Sequence, residues 1–187
     1  ISSLIIVGCE EMNAPGPTPA PADVPVIPHF ASPAYGMHTN MWWKPDLIEQ
    51  DLGLVKEMGF GWVKQKFPWR EIEGIEKGQY DWYRPDRIVE ATEAEGLNLL
   101  VRLDRQPFWS EPESNLWHEN QAPGDLNDFG DFCGAVAERY HGRIAAYQVW
   151  NEPNLSREWG ELPPDPAHYT ELLEVCYTAI KAADPRA

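Results

Sequence analysis

Apolar positions along this chain follow two rhythms in turn. Short runs rich in β-branched and aromatic residues alternate with longer stretches in which apolar residues return every three or four positions. A first short strand is predicted over residues 34–38, and a helix opens at Lys44-Pro45-Asp46, with proline tolerated in its first turn. Leu47, Ile48, Leu52, Val55 and Met58 recur at helical spacing until Gly59 ends the helix. Residues 61–67 are a second strand, 69–83 a loop with Gly74 and Gly78 as turn residues, and 86–95 a second helix closed by Gly96. The third strand, 97–103, is nearly all apolar, as expected of a strand covered on both faces. A long loop over 104–124 carries Phe108, Trp109 and Trp117, and length of that kind often marks function. A third helix covers 125–140, a fourth strand 144–150 and a fourth helix 166–183.

Four strands, each followed by a helix, define a parallel α/β domain. A doubly wound sheet and half of a (β/α)8 barrel both satisfy the pattern. No Gly-x-Gly-x-x-Gly occupies the first strand-to-helix turn, which removes the main support for a nucleotide fold and favours the barrel. A whole barrel takes about 250 residues. The 187 residues are therefore read as the N-terminal half of a (β/α)8 TIM barrel, four βα units over 34–187, in a chain cut at both ends. On that reading the outer edges of strands one and four lack partners, and apolar side chains meant to fill the barrel are partly exposed.

The first 33 residues follow neither rhythm. Leu4-Ile5-Ile6-Val7-Gly8-Cys9 is an apolar run too short to span a bilayer, resembling the tail of a signal sequence. It resembles the lipobox of bacterial lipoproteins, which implies that Cys9 is lipidated; an ordinary apolar strand is the alternative. Residues 10–33 are rich in Pro and Ala, as in an extended tether without packed structure. The lipobox resemblance implies a protein outside the cytoplasm of a bacterium, at the cell surface or in the periplasm, held to the membrane only by an N-terminal lipid anchor.

The net charge of −15 argues against a nucleic-acid partner, and it suits a neutral, hydroxyl-rich one. Nine Trp and seven Tyr supply rings that could stack on sugar faces, although most are expected in the core. Three cysteines are too few for a disulfide scaffold. Cys133 and Cys176 fall on apolar helix faces as buried free thiols, with a bridge between them as the alternative in an exported protein. The five histidines show no metal-ligand spacing, and no cofactor or metal is implied.

The richest stretch is Tyr147-Gln148-Val149-Trp150-Asn151-Glu152-Pro153-Asn154-Leu155. Strand-forming residues run into an amide and a carboxylate, and Pro153 is expected to stop the strand near Glu152. The C-terminal end of a barrel strand is where such enzymes keep their chemistry. Asn151-Glu152-Pro153 resembles the signature of the clan A glycoside hydrolases, the cellulase and β-xylosidase superfamily. The resemblance extends over about residues 35–184 through Gly61-Trp62-Val63, Phe67-Pro68-Trp69, Ile72-Glu73, Gly78-Gln79-Tyr80-Asp81-Trp82, Pro107-Phe108-Trp109, Arg139-Tyr140 and Arg143-Ile144. It points to family 39-like or family 5-like members. It implies a retaining glycosidase acting on the O-glycosidic bonds of a β-linked oligo- or polysaccharide. Glu152 would be the general acid/base and Asn151 the contact to the sugar 2-hydroxyl. The nucleophile, a glutamate on the seventh strand, would lie outside this chain, leaving the fragment itself inactive. One departure is Lys64 where clan members often carry arginine, a point charge in place of a planar fork.

To hold its proton near neutral pH a catalytic acid needs burial among aromatics or a negative neighbour. Trp150 and Trp109 are the expected apolar wall. Trp43, Trp69 and Trp109 are candidate stacking platforms, His38 and Lys64 candidate sugar contacts. Glu71, Glu73 and Glu76 read as solvated. Asp104 and Arg105 either reach the mouth or pair with each other. The alternative function is a non-catalytic carbohydrate-binding lipoprotein with a glycosidase-like barrel.

Overall fold

The computed structural model describes residues 35–111 and 120–187. The leader with Cys9, the whole Pro/Ala-rich stretch and Trp117 lie outside the described residues. Four parallel strands form one sheet in the order β1 (Gly36–His38), β2 (Trp62–Pro68), β3 (Asn98–Asp104) and β4 (Ala146–Val149). The helices are α1 (Ile48–Glu57), a single turn α2 (Trp69–Ile72), α3 (Tyr83–Ala94), α4 (Leu126–Arg139) and α5 (Pro166–Ala183). Each strand leads to a helix, as the two rhythms predict; α2 is an addition inside the expected 69–83 loop. Within the described sheet β1 and β4 each have one unpaired edge.

Local chemistry sets the boundaries. Asp125 and Asp165 cap α4 and α5, each side chain accepting from backbone N–H groups of the first turn. Pro166 at the first position of α5 gives up an N–H that the helix would not use. Gly59 and Gly96 follow α1 and α3 in the left-handed conformation, which glycine adopts without a steric penalty.

The two faces of the sheet differ. Val63 and Phe67 of β2, Leu99, Val101 and Leu103 of β3 and Val149 of β4 are buried in one core with the helices' apolar stripes. Aromatic rings thicken that core: Trp69 stacks on Phe132, and Trp150 meets Phe129 edge-on. Asp86 of α3 accepts two hydrogen bonds from Arg139 and one from the Tyr140 hydroxyl, fastening α3 to the end of α4.

The cysteines correct the first expectation. Cys133 of α4 and Cys176 of α5 are not free thiols but a disulfide, with Cα atoms 5.4 Å apart. The helices come this close because Gly130 and Gly134 face Val175 and Ala179; a Cβ at Gly130 would stand 3.4 Å from that of Val175.

The opposite face carries a second correction. The half-exposed side chains that point into the barrel are not mainly apolar. Register puts His38, Lys64, Leu100 and Ala146 in one row and Lys66, Arg102 and Gln148 in the next, toward the strands' C-terminal ends. Alternation along each strand sends these residues away from the helices.

Candidate active site

The chain leaves β4 under backbone constraint. The strand ends at Val149, before the expected stop near Glu152, because Trp150 turns left-handed with φ 64°. Glu152 is left-handed as well, with φ 39°. Two non-glycine residues of this kind within three positions store strain, which clusters at functional sites. What holds the turn is visible. The Trp150 backbone N–H donates to Leu103 O at 2.8 Å, and its indole Nε1 donates to Glu158 O at 2.8 Å. Gln148 Nε2 donates to Trp150 O at 2.7 Å, and the Tyr169 hydroxyl of α5 donates to Val149 O at 3.1 Å.

This turn brings Asn151 and Glu152 to the rim of the polar face. Asn151 Oδ1 accepts from Arg102 Nη1 at 2.7 Å. Arg102 Nε lies 2.8 Å from Asp104 Oδ2, and both side chains are nearly buried. Burial pushes the Asp104 carboxyl up, while Arg102 and Arg105 oppose that shift. Because Arg102 occupies the amide oxygen, Asn151 is left with its NH2 as the end available to a ligand. Asp104, expected either to reach the mouth or to pair with Arg105, is held by Arg102, two residues back on the same strand face, with Arg105 also acting on its charge. Arg102 was missed because β3 reads as apolar; a lone arginine inside such a strand was the available signal.

The Glu152 carboxylate is 51% exposed, and its Oε2 accepts from Arg157 Nη2 at 3.0 Å. Lys64 of β2 lies within electrostatic reach of Glu152, Asp104 and Arg102. Desolvation, then the positive charge of Arg102, holds the Lys64 ammonium below its usual range. His38 is lowered by partial burial of its ring and then by Lys64, Arg102 and Lys66. Lys66 is lowered by burial and then by Arg105, and its Nζ sits 5.1 Å above the Trp43 ring. Lys64 thus lies between His38 and Glu152 on this face, Trp43 lies under Lys66, and a cavity of about 360 Å³ opens lower down, along Gly36, Met37, His38, Trp62, Val63, Lys64 and Leu100.

Two expected platforms are not at the mouth. Trp69 is fully buried, and its Nε1 donates to Glu73 Oε2. The chain enters α2 just after Pro68, which swings Trp69 outward among the helices. Trp109 packs edge-on against Trp69 and donates its Nε1 to Glu73 O. Trp150 is also buried, its ring packed edge-on against Phe129 and Trp159. Glu73, expected in solvent, is 1% exposed and accepts from Trp69 and the Gly78 N–H. Glu71 is half-buried, accepting from Trp42 Nε1 and Arg84. Among the described residues no group of three or more His, Cys, Asp or Glu is placed to hold a metal ion.

Comparison with known proteins bears on this geometry. No family model matches the chain. Over 150 residues it is 29% identical to a β-xylosidase of Geobacillus stearothermophilus, covering 74% of this chain and 27% of that protein. It is similar in structure to a family 39 glycoside hydrolase from Bacteroides cellulosilyticus WH2, with a TM-score of 0.65 and 20% identity, covering 81% of this chain and 29% of that one. A family 39 enzyme from Xanthomonas axonopodis pv. citri gives a TM-score of 0.64 at 20% identity, covering 82% of this chain and 33% of that one. A family 5 enzyme from Streptomyces cattleya, solved with GlcNAc, gives 0.58 at 17% identity, covering 78% and 39%. The chain has a clan A glycoside hydrolase-like α/β fold, matching part of a (β/α)8 barrel. It spans about a quarter of the curated relative and about a third of the family 39 structures.

Proposed function

We propose that this chain contributes the acid/base half of a retaining clan A glycosidase that cleaves β-linked oligo- or polysaccharides. The supporting observation is the placement of Glu152: a half-exposed carboxylate at the C-terminal end of β4, beside Asn151 and facing Lys64 of β2. A group there can give a proton to a leaving oxygen and then take one from water. Arg102, itself anchored by Asp104, orients Asn151 for a sugar hydroxyl. The second carboxylate of such a mechanism stands about 5–5.5 Å from the first, and the resemblance places it on a seventh strand. Since the chain spans only part of the proteins it resembles, that nucleophile is proposed to lie outside these 187 residues. Secretion and lipidation at Cys9 belong to the same proposal; the apolar run ahead of that cysteine supports them.

The test uses a protein carrying the complete barrel. Glu152→Gln is expected to slow hydrolysis of a poor-leaving-group glycoside about 10²–10⁴-fold. An activated aryl glycoside, whose leaving group needs less protonation, should lose much less in its first step and show a burst. Equal losses for both substrates, or none, overturn the assignment. One observation favours the non-catalytic alternative: Arg157 holds the Glu152 carboxylate, as in a binding rim. The pair is exposed and worth little, so a substrate can displace it.

A further inference from the structure

On the helix side of the sheet, a hollow of about 250 Å³ opens between the start of α1 and the start of α3. Both helices that wall it lie within the described residues and pack against each other. Its floor is apolar: Met41, Ile48 and Ile88 are each at most 2% exposed. Its rim is polar. Asp46, in the single turn Pro45–Leu47 that leads into α1, borders it with Arg84 and Arg87 of α3. Tyr83, the first residue of α3, stands beside them and is 66% exposed. Its ring is held in place: the Arg87 guanidinium lies over it at 5.9 Å, and Arg87 Nη2 donates to Pro45 O at 3.4 Å. One further ring joins the hollow to the mouth. The Arg84 guanidinium lies 5.8 Å from the centre of Trp43, and Lys66 Nζ, on the inner face, lies 5.1 Å from the same ring. Trp43, half-exposed, therefore stands between the two places.

We propose that this hollow is a second sugar-binding site, outside the barrel, which takes one pyranose ring of a neutral β-linked glycan whose chain runs over Trp43 to the mouth. This second site presupposes the carbohydrate reading above and goes beyond it by calling for a glycan chain and not a short glycoside. A pyranose has an apolar face and a belt of hydroxyls that both donate and accept. Tyr83 and the floor of Met41, Ile48 and Ile88 meet the face. The Asp46 carboxylate accepts from hydroxyls, and the guanidiniums and the Tyr83 hydroxyl donate to them. A phosphate or carboxylate suits the rim less, because Asp46 repels it and Glu71 already accepts from Arg84 at 2.9 Å. The hollow is smaller than the roughly 300–1,000 Å³ of drug-sized sites, so it admits a single ring. Holding a glycan at two places raises its effective concentration at the mouth without any new contact there.

The test titrates the isotope-labelled 187-residue chain with xylohexaose, cellohexaose and inorganic phosphate, following amide resonances. At least one hexasaccharide is expected to shift the amides of residues 41–48 and 83–88. Tyr83→Ala should weaken that binding about 10-fold. Tyr83→Phe should keep it, and so should Tyr177→Ala, which removes a similarly exposed tyrosine of α5. Shifts confined to Asn151, Glu152 and the inner face overturn the second site and leave the carbohydrate reading standing. Stronger shifts at the hollow with phosphate would make it an anion site, and shifts there on concentrating the chain alone would make it a contact between copies; either overturns the proposal. If neither hexasaccharide shifts any amide, the second site falls, while Glu152→Gln in the complete barrel still decides the catalytic reading. A Tyr83→Ala chain that loses the hexasaccharide but keeps the wild-type urea midpoint has lost the site and not the fold.

Discussion

Replacing Arg102 with leucine tests the buried link between the sheet and the Asn151–Glu152 turn. The side chain makes two charged contacts, to Asp104 Oδ2 at 2.8 Å and to Asn151 Oδ1 at 2.7 Å. Its side chain is 12% exposed and that of Asp104 5%, so water can replace neither contact. Removing one member of a buried pair costs about 3–5 kcal/mol, mostly because the other charge is stranded. Losing a charge-assisted hydrogen bond alone costs about 1.5–3 kcal/mol, and the two overlap, so we expect a total near 3 kcal/mol. Urea unfolding followed by tryptophan fluorescence measures it. The Arg102→Leu/Asp104→Leu double variant should be more stable than Arg102→Leu alone, since it strands no carboxylate.

The pH dependence carries its own sign. Burial raises the folded-state Asp104 carboxyl above its ordinary value of 3.8, so the folded chain binds more protons than the unfolded one just above that pH. This group's contribution is most favourable below 3.8 and declines as pH rises toward the folded value. Without Arg102 the folded value climbs further, so the defect of Arg102→Leu should be larger at pH 7 than at pH 4. A defect under 1 kcal/mol at pH 7, or one that grows on acidification, would refute the idea of a stranded carboxylate.

Other predictions reach other parts of the chain. Reducing the Cys133–Cys176 bond, which closes a span of 43 residues, should cost about 4 kcal/mol by chain entropy; the urea midpoint with and without reductant reads this. Trp69→Phe keeps an aromatic ring but takes the indole N–H from one oxygen of the buried Glu73 carboxylate, leaving it the Gly78 N–H, and a loss of about 1–3 kcal/mol is expected in the same assay. Gly74→Ala should destabilise strongly, because a Cβ there would stand 2.1 Å from Arg70 O, which is backbone and cannot step aside; hydrogen exchange around α2 would show it. The His38 ring should titrate below 6.5, and Lys64→Met should move it upward, as NMR of the ring protons can check.

The element pattern was legible because strong punctuation brackets nearly every element. The strands fall within about two residues of the expected ends, and α5 runs from Pro166 to Ala183 as its periodicity implies. That Glu152 lies just past the end of the fourth strand was legible for the same reason, since a strand cannot continue far past such a turn. What escaped were facts of direction and meeting. Trp69 follows a strand end, which reads as the rim, yet one helical turn carries it into the core. Glu73 belongs to a loop that looks solvated until Trp69 and the Gly78 N–H converge on it. Helical stripes show that Cys133 and Cys176 face inward, but only tertiary packing shows that the two faces meet. For Asp104 two outcomes were open, and its Arg102 partner follows from the strand itself: neighbours point to opposite faces and residues two apart share one.

The same alternation explains why the inner face deserves its functional reading. A strand covered on both sides has no reason to keep charge, yet Lys64 and Lys66 break β2, and Arg102 breaks β3, at period two and in register. Charge kept against desolvation is charge kept for something other than folding. The consequence is measurable. Lys64 binds its proton less tightly in the folded chain than its ordinary value of 10.5, so the unfolded chain holds more protons just below that pH. Stability should therefore rise with pH through the window ending near 10.5. Lys64→Met should flatten that rise and leave the neutral-pH midpoint unchanged or higher, by up to about 1 kcal/mol. A loss of more than 1 kcal/mol on removing this ammonium would mean that the lysine serves the fold and not the mouth beside Glu152.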